Sequence, residues 1–303
     1  MSYSSDLKNE LADIYAQPVH CRNAELAGII CASGKLEDGC ISIKPENELI
    51  QKKIYWLVRK SFDIAEEMMY TTKSGGKSKI IIRGKMVDDL FSTLKLTGKA
   101  GIIYANNMII ERTCCKRAFI RGVFLAAGSV SSPEKKNHFE MVFSDEKSAD
   151  QITECMKVFD TDPKVVVRRN SYVVYIKDGD EIASILSVMG AANSLMTFEN
   201  VRIVKDIRNS INREVNCETA NISKVASAAV KQIADIEYLD ERMGRDYLPD
   251  SLRTLADIRI ANPLLSLKEL GDMLTPPIGK SGVNHRLRRI SEMADRLRET
   301  RED

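Results

Sequence analysis

The 303-residue sequence lacks the long apolar segments and leader features of a secreted or membrane-spanning protein. Its first residues, MSYSSDLKNELADI, have neither the basic start nor the apolar core of a signal peptide. Nowhere does an uninterrupted apolar run approach the roughly 18 residues that a spanning helix needs. We therefore expect no membrane insertion, and we expect a cytoplasmic protein in a reducing compartment.

Patterns that bind metals or form disulfide frameworks are scarce as well. The seven cysteines include no C-x-x-C pair, and histidine occurs three times. Their spacing along the chain matches neither a zinc motif nor a disulfide framework, so we expect no metal and no cofactor. The adjacent Cys114 and Cys115 leave two roles open, a redox-sensitive pair and a pair of structural thiols, and the structural role is favoured.

An excess of charge of either sign is also missing. The chain has 45 basic and 43 acidic side chains, which leave a formal net charge of +2. A surface for a nucleic acid must therefore be a local basic patch, because the whole molecule is nearly neutral.

The front of the sequence contains a repeat. The string CRNAELAGIICASGKL, from Cys21, aligns without a gap with CKRAFIRGVFLAAGSV, from Cys115, at an offset of 94 residues. In the first copy Ala24, Gly28 and Ala32 recur every four residues, and the second copy repeats this spacing, so small residues line one face of each helix. The pattern predicts that the two helices pack closely against each other.

The segments after the two copies predict the same order of elements: strand, helix, two strands, helix. After the first copy we expect them near residues 40–44, 48–64, 68–72, 79–83 and 85–94. After the second copy we expect them near residues 138–143, 146–158, 164–169, 171–177 and 180–189. A tight turn near Asn170 and Ser171 closes the last hairpin. The front half is thus interpreted as a tandem pseudo-symmetric α/β repeat, with copies at about 21–96 and 115–190.

The first helix of the repeat resembles a known motif. LAGIICASG, which ends at Gly34, is similar to the LAGLIDADG motif of homing endonucleases, and residues 120–128 resemble a divergent second copy. The resemblance implies that the motif helices form the interface between two halves. It also implies an acidic metal ligand just before the final glycine of each motif, where this chain has Ser33 and Ala127.

Both metal-binding carboxylates of that motif are thus missing. Cleavage of a phosphodiester with Mg²⁺ needs carboxylate oxygens around the ion, and neither a hydroxyl nor a methyl group replaces them. Glu37, Asp38 and Glu134 lie beyond the motif helices and are interpreted as loop charges. We therefore do not expect an enzyme.

The rest of the chain predicts helices only. Residues 214–248 are interpreted as a long linker helix that ends at Gly244 and Pro249, and a short helix follows at 251–260. The predicted domains are a degenerate LAGLIDADG-like domain at 1–213, this linker, and an all-α helix-turn-helix domain at 249–303. Together they give an α+β fold class.

The motif from Ser266 to Arg298 predicts the helix-turn-helix. Ser266 and Glu269 match a capping box at the start of its first helix. The segment TPPIG must end that helix, because two adjacent prolines cannot continue it. Ser281 is expected to cap a second helix whose apolar residues, from Val283 on, recur at spacings of four and three.

The polar side of the second helix is the candidate DNA-binding surface. Between Gly279 and Ile290 there are four basic residues and no acidic one. Such a face suits the major groove, where Asn reads adenine and Arg reads guanine or holds a phosphate. The alternative is a solvated basic face on a structural helix. The candidate contacts are Lys280, Ser281, Asn284, His285, Arg286, Arg288 and Arg289.

The string SLKELGDMLTPPIGKSGVNHRLRRI resembles the C-terminal signature of the WhiA family. These bacterial regulators of sporulation and cell division join a degenerate LAGLIDADG domain to a helix-turn-helix, and the resemblance covers nearly the whole chain. It implies a nucleoid-associated protein that binds specific sites on double-stranded DNA. It further implies a transcriptional regulator, a role in cell division and chromosome segregation, or both.

Two other interpretations stay open for the front domain, and neither involves a small-molecule substrate. In the first, basic hairpins give it secondary DNA contacts through Lys77, Lys79, Arg83, Arg168 and Arg169. In the second, it is a protein-interaction platform that recruits RNA polymerase or division proteins, with DNA binding secondary.

Overall fold

The structure, a computed structural model, describes residues 2–62, 68–74, 77–99 and 101–300. The side chains of Lys73, Ser74, Lys77, Lys99 and Arg245 are outside this description. The chain divides into two compact units, Met1–Asp206 and Ile207–Asp303. The predicted α+β class is confirmed, since all strands of the described residues lie in the first unit and the second is helical. The finer domain boundaries given above stay a prediction.

In the described residues, the first repeat of unit 1 and the segments on either side of it form four α-helices and six strands. Their bounds are α1 Tyr3–Ala12, α2 Val19–Ser33, β1 Lys35–Glu37, β2 Cys40–Ile43, α3 Glu48–Ser61, β3 Met69–Ser74, β4 Lys77–Ile82, α4 Lys85–Thr93, β5 Leu96–Lys99 and β6 Ile102–Ala105. A 3₁₀ helix, Asn107–Ile110, leads into the second repeat.

The second repeat forms the same kinds of elements in the same order. They are α5 Thr113–Ala127, β7 Gly128–Val130, β8 Phe139–Phe143, α6 Glu146–Lys157, β9 Lys164–Arg168, β10 Ser171–Ile176 and α7 Gly179–Met189, after which α8 spans Ala192–Met243. All ten predicted elements are present with ends shifted by a few residues, so the repeat is confirmed. Helix α1, the edge strands β1 and β7 and the β5–β6 hairpin were not predicted.

Each repeat contains one four-stranded antiparallel sheet. The strand orders are β1-β2-β4-β3 and β7-β8-β10-β9, so the two sheets share one topology. One face of each sheet is buried, with Ile41, Ile80 and Ile82 in the first and Phe139 and Met141 in the second. The predicted hairpin turn lies one residue earlier than expected, because Arg169 and Asn170 adopt the left-handed conformation that a two-residue turn requires.

Helices α2 and α5 cross at their glycines. A Cβ atom on Gly28 would lie 2.5 Å from the carbonyl oxygen of Phe119, and one on Gly122 would lie 2.1 Å from that of Glu25. Any side chain at these positions would collide with the backbone of the partner helix, so only glycine permits this approach. The predicted close packing of the two small-residue faces is confirmed.

Charged side chains are buried beside this crossing. Glu25 accepts hydrogen bonds from Arg121 at 3.1 and 2.8 Å, and the Lys53 ammonium lies 3.2 Å from the Oε1 atom of the same carboxylate. Lys53 and Glu25 are fully buried, and Arg121 also donates to the carbonyl oxygen of Met189. Burial lowers the pKa of Lys53, and the negative charge of Glu25 partly opposes this shift. We call these three residues the buried triad.

Unit 2 contains residues 207–243 of α8, a 3₁₀ helix at Arg245–Tyr247, α9 Asp250–Ala261, α10 Leu267–Asp272 and α11 Lys280–Glu299. Its core is one apolar cluster, formed by Ile236, Leu239, Leu248, Leu252, Leu255, Ala256, Leu270, Leu274, Val283, Leu287, Ile290 and Ala294. Among the described residues, no helix combines the length and the apolar character needed to cross a membrane.

Candidate nucleic-acid interface

Helices α10 and α11 form the predicted two-helix unit. The capping box is confirmed, because the Ser266 hydroxyl accepts from the Glu269 amide and the Glu269 carboxylate accepts from the Ser266 amide. These hydrogen bonds lower the pKa of Glu269. Gly271 permits the turn to fold back on α10, since a Cβ there would lie 2.1 Å from the carbonyl oxygen of Ile278.

The start of α11 differs from the prediction for Ser281. The helix begins at Lys280 with Gly279 at its N-cap, and no side chain caps it. The prediction that Ser281 is the cap is therefore wrong, because the chain enters the helix before Ser281, whose side chain is left exposed.

The buried stripe of α11 fixes which side chains face outward. Val283, Leu287 and Ile290 are buried in the core of unit 2. The exposed members of the predicted set are Lys280, Ser281, Asn284, His285, Arg288 and Arg289. Arg286 differs from them, since it is half-buried and donates to the carbonyl oxygen of Ser251 at 3.3 Å. It thus turns toward α9 and away from the exposed face.

A groove of about 450 Å³ lies beside this face. Lys224 of α8, Lys268 of α10 and Lys280 and Asn284 of α11 all line it. Sequence reasoning missed Lys224 and Lys268. Lys268 had a signal, since it follows the cap Ser266 in the first turn of a helix, where free amide groups attract anions. Lys224 had none, because only the tertiary fold brings it here.

Two arginines hold the helices that support the groove. Arg259 of α9 is 1% exposed and donates to the Gln232 side chain at 3.0 Å and to the carbonyl oxygen of Leu265 at 2.7 Å. Burial lowers its pKa. Arg298 of α11 pairs with the buried Asp235 of α8 at 2.8 Å, and this hydrogen bond raises the pKa of Arg298. The groove thus has walls fixed by buried polar contacts.

The secondary candidates of unit 1 lie on the two sheets. Lys79 pairs with Thr72 in β4, and Arg168 pairs with Ser171 in β9, both on the face opposite the buried residues. Arg169 is exposed at the tip of the hairpin, and Arg83 lies 5.2 Å from the ring of Tyr70. The side chain of Lys77 lies outside the described part of the structure.

The C-terminal ends of α2 and α5 carry the two degenerate positions. Ser33 is the last residue of α2, and its hydroxyl donates to the carbonyl oxygen of Ile29 at 2.9 Å. Ala127 is the last residue of α5. Neither side chain offers a carboxylate, and Glu37 and Glu134 are exposed in the segments beyond.

The N-terminal ends of the same helices have a different composition. In the described residues, the one group of three or more metal-ligating side chains close enough to share an ion is His20, Cys21, Cys114 and Cys115. Their donor atoms all lie within 4.8 Å of one another. Burial and the neighbouring Cys114 thiol raise the pKa of Cys21 to about 12, and the same causes raise that of Cys115. Spacing along the chain had predicted no such group.

Each of the two units contains a region that matches a known protein family. Residues 211–294 match the family described as the WhiA C-terminal HTH domain, and residues 116–208 match the WhiA LAGLIDADG-like domain. The probable cell division protein WhiA of Lachnoclostridium phytofermentans is 44% identical, with 99% of this chain and 100% of that protein covered. That of Alkaliphilus metalliredigens is 40% identical, with 98% and 99% covered.

A solved structure shares the fold. The crystal structure of full-length DUF199/WhiA from Thermatoga maritima superposes with a TM-score of 0.60 at 24% sequence identity. The match covers 98% of this chain and 99% of that one.

Proposed function

This chain belongs to the WhiA family, and from this we propose that it binds specific sites on double-stranded DNA through α10 and α11. The observation that carries the proposal is the exposed polar face of α11 beside a groove lined by three lysines. Asn284, Arg288 and Arg289 suit contacts with base edges, while the lysines suit phosphates.

The arginines test base readout. A double variant, Arg288→Ala with Arg289→Ala, should lose at least ~10-fold in affinity for a site selected from random duplexes, since each good base contact contributes about 1–3 kcal/mol. The matched control is Arg213→Ala, which removes an exposed arginine of α8. Fluorescence anisotropy measures both variants. Unchanged affinity in the double variant would refute the assignment of this face.

The lysines test phosphate contact. Lys268→Ala should weaken binding to all sequences alike and should reduce the slope of log affinity against log salt by about 0.9, the value of one phosphate contact. A loss confined to the selected site, with the slope unchanged, would mean that Lys268 does not contact the backbone.

We further propose a cytoplasmic, nucleoid-associated regulator of transcription, or a factor in cell division and chromosome segregation. The support is that the relatives are named as probable cell division proteins. Genome-wide mapping of bound DNA distinguishes transcriptional regulation from a role in cell division and chromosome segregation. Peaks at promoters whose transcripts change upon deletion support regulation, whereas peaks without transcript changes but with mis-segregated nucleoids support the division role.

The front domain is proposed to have lost nuclease activity, because Ser33 and Ala127 supply no carboxylate. Incubation of the full-length protein with supercoiled plasmid and Mg²⁺ or Mn²⁺ should leave the plasmid intact. Metal-dependent nicking that Glu37→Gln or Glu134→Gln abolishes would contradict this.

A second candidate contact is favoured by the outer faces of the two sheets, on which Lys79 of β4 and Arg168 of β9 lie opposite the buried residues. If they hold phosphates, the full-length double variant Lys79→Ala, Arg168→Ala should reduce the salt slope by about 1.8. An unchanged slope would favour the other role of this domain, the recruitment of RNA polymerase or division proteins.

A further inference from the structure

We propose that His20, Cys21, Cys114 and Cys115 form a tetrahedral site for Zn²⁺ at the N-terminal ends of α2 and α5. The site is independent of the proposed DNA surface and lies in the other unit. It provides three sulfur ligands and one nitrogen ligand, a set that structural zinc sites commonly use.

The distances between the donor atoms fit an ion of this size. The Nδ1 atom of His20 lies 3.2 Å from the Cys115 sulfur, 3.3 Å from the Cys21 sulfur and 3.9 Å from the Cys114 sulfur. With the usual Zn–S and Zn–N bond lengths, a tetrahedral site separates nitrogen from sulfur by about 3.6 Å. The observed nitrogen–sulfur distances therefore bracket the value expected for the ion, and all four donor atoms lie within 4.8 Å of one another.

Hydrogen bonding alone does not account for this arrangement. Three sulfur atoms converge on one imidazole nitrogen, which serves one partner well, and the further hydrogen bond from the Cys115 thiol to the His20 carbonyl oxygen is long, at 3.8 Å. Two of the cysteines are buried, where polar groups are normally satisfied. An ion at the centre would bond to all four donor atoms at once.

The repeat explains how the four ligands meet. His20 and Cys21 are the second and third residues of α2, and Cys114 and Cys115 are the second and third residues of α5. Each pair is thus separated from its equivalent by the same offset of 94 residues that relates the two motifs. The pseudo-twofold relation of the helices brings these equivalent positions together.

Access and charge also suit an ion. Cys114 is exposed, and a cavity of about 350 Å³ is lined by His20, Cys115 and Arg112. Three thiolates, one neutral imidazole and Zn²⁺ sum to one negative charge, and the positive Arg112 acts on Cys115 from nearby. The ion can enter from solvent, and once bound it would link the first turn of α2 to the first turn of α5.

The test measures metal in the full-length protein, purified under reducing conditions and loaded with Zn²⁺. Elemental analysis by mass spectrometry should give about one zinc per chain. After replacement by Co²⁺, the visible spectrum should show the thiolate charge-transfer and d–d bands of a tetrahedral cobalt centre.

Cys114→Ser is the decisive variant, because this side chain is exposed and its replacement should leave the fold intact. It should reduce the bound metal from about one per chain to near zero and abolish the cobalt bands, with an unchanged circular dichroism spectrum. The matched control is Cys217→Ser, an exposed cysteine outside the group, which should keep both signals.

Three results would overturn the proposal. They are a reduced wild-type protein that takes up neither zinc nor cobalt, cobalt bands that survive in Cys114→Ser, and equal losses in Cys114→Ser and Cys217→Ser. Uptake that depends on Cys114, Cys21 and His20 together, tested as Cys21→Ser and His20→Ala, supports it.

Discussion

The two ends of the α2–α5 helix pair have opposite chemistries. At the C-terminal ends, where the LAGLIDADG motif has its acidic ligands, Ser33 and Ala127 provide no carboxylate. At the N-terminal ends, one histidine and three cysteines lie within 4.8 Å of one another. The two motif positions at one end thus lack the carboxylates that a hard ion such as Mg²⁺ prefers, and ligands for a softer ion are gathered at the other end.

The difference shows that the helix crossing and the chemistry at its ends are separable. The crossing requires Gly28 and Gly122, and these glycines and the buried triad lie away from the helix termini.

The largest effect is expected at the buried triad. Glu25→Ala leaves Lys53 and Arg121 buried without their carboxylate, which should cost about 3–5 kcal/mol of unfolding free energy. Urea denaturation followed by circular dichroism measures it. The control Glu48→Ala removes an exposed partner of Lys52 and should change stability by less than about 0.5 kcal/mol. Equal losses of unfolding free energy in both variants would show that the buried Lys53 and Arg121 do not depend on the Glu25 carboxylate.

Metal selectivity distinguishes the two ends directly. Under reducing conditions, Zn²⁺ at about 100 times its dissociation constant should raise the free energy of unfolding by about 2.7 kcal/mol. For a domain of this size, that corresponds to a rise in Tm of roughly 5–10 °C. Mg²⁺ at millimolar concentration should leave the Tm unchanged. Calorimetry of the full-length chain measures the Tm with each ion. A rise in Tm with Mg²⁺ alone would show that the chain binds a hard ion and not a softer one.

A smaller loss is expected at the crossing. Gly122→Ala places a Cβ 2.1 Å from the Glu25 carbonyl oxygen, and the helices must separate at a cost of about 1–3 kcal/mol. Gly282 of α11 is the matched helical glycine, because a Cβ there has no neighbour closer than 3.4 Å. Gly282→Ala should be neutral or stabilise by up to about 1 kcal/mol. The denaturation midpoint should therefore fall for Gly122→Ala and should stay unchanged or rise for Gly282→Ala.

The smallest effect is expected at the degenerate end. Within the described part of the chain, the Ser33 hydroxyl bonds only to the carbonyl oxygen of Ile29 in its own helix, so Ser33→Ala should change the unfolding free energy by less than about 0.5 kcal/mol. DNA affinity should not change either. A loss of affinity upon this substitution would show that the C-terminal end still has a role in binding.

Much of the fold could be predicted from the sequence, because its signals are local. The runs KIIIR and KVVVRRNSYVVYIK identify strands, and the four-residue spacing of small residues identifies the crossing helices. The hairpin β5–β6 was not predicted, because its strands have four residues each and lack a clear alternation of apolar and polar residues. The start of α8 at Ala192 was missed as well, although no glycine or proline interrupts the sequence between Gly190 and Gly244.

The candidate sites were predictable to different degrees. The exposed face of α11 follows from helical periodicity alone, except that Arg286 bends toward α9. Lys224 joins the groove only through the tertiary fold. The histidine and cysteines look unrelated along the chain, since zinc motifs are recognised by short spacings. The offset of 94 residues could have paired them, had it been applied to the residues just before each motif.

The buried triad also determines which halves can be joined. Glu25 corresponds by the repeat offset to Phe119, and Arg121 corresponds to Ala27. Two copies of the first half would place alanine where arginine stands now; each Glu25 would keep Lys53 of its own half but would lose the hydrogen bonds from Arg121. Two copies of the second half would bury two arginines with phenylalanine in place of glutamate. Of these two symmetric assemblies, the second would therefore contain buried charge without its carboxylate partner. Although the backbones of the two halves are alike, the second half depends on the first for the carboxylate that pairs with Arg121.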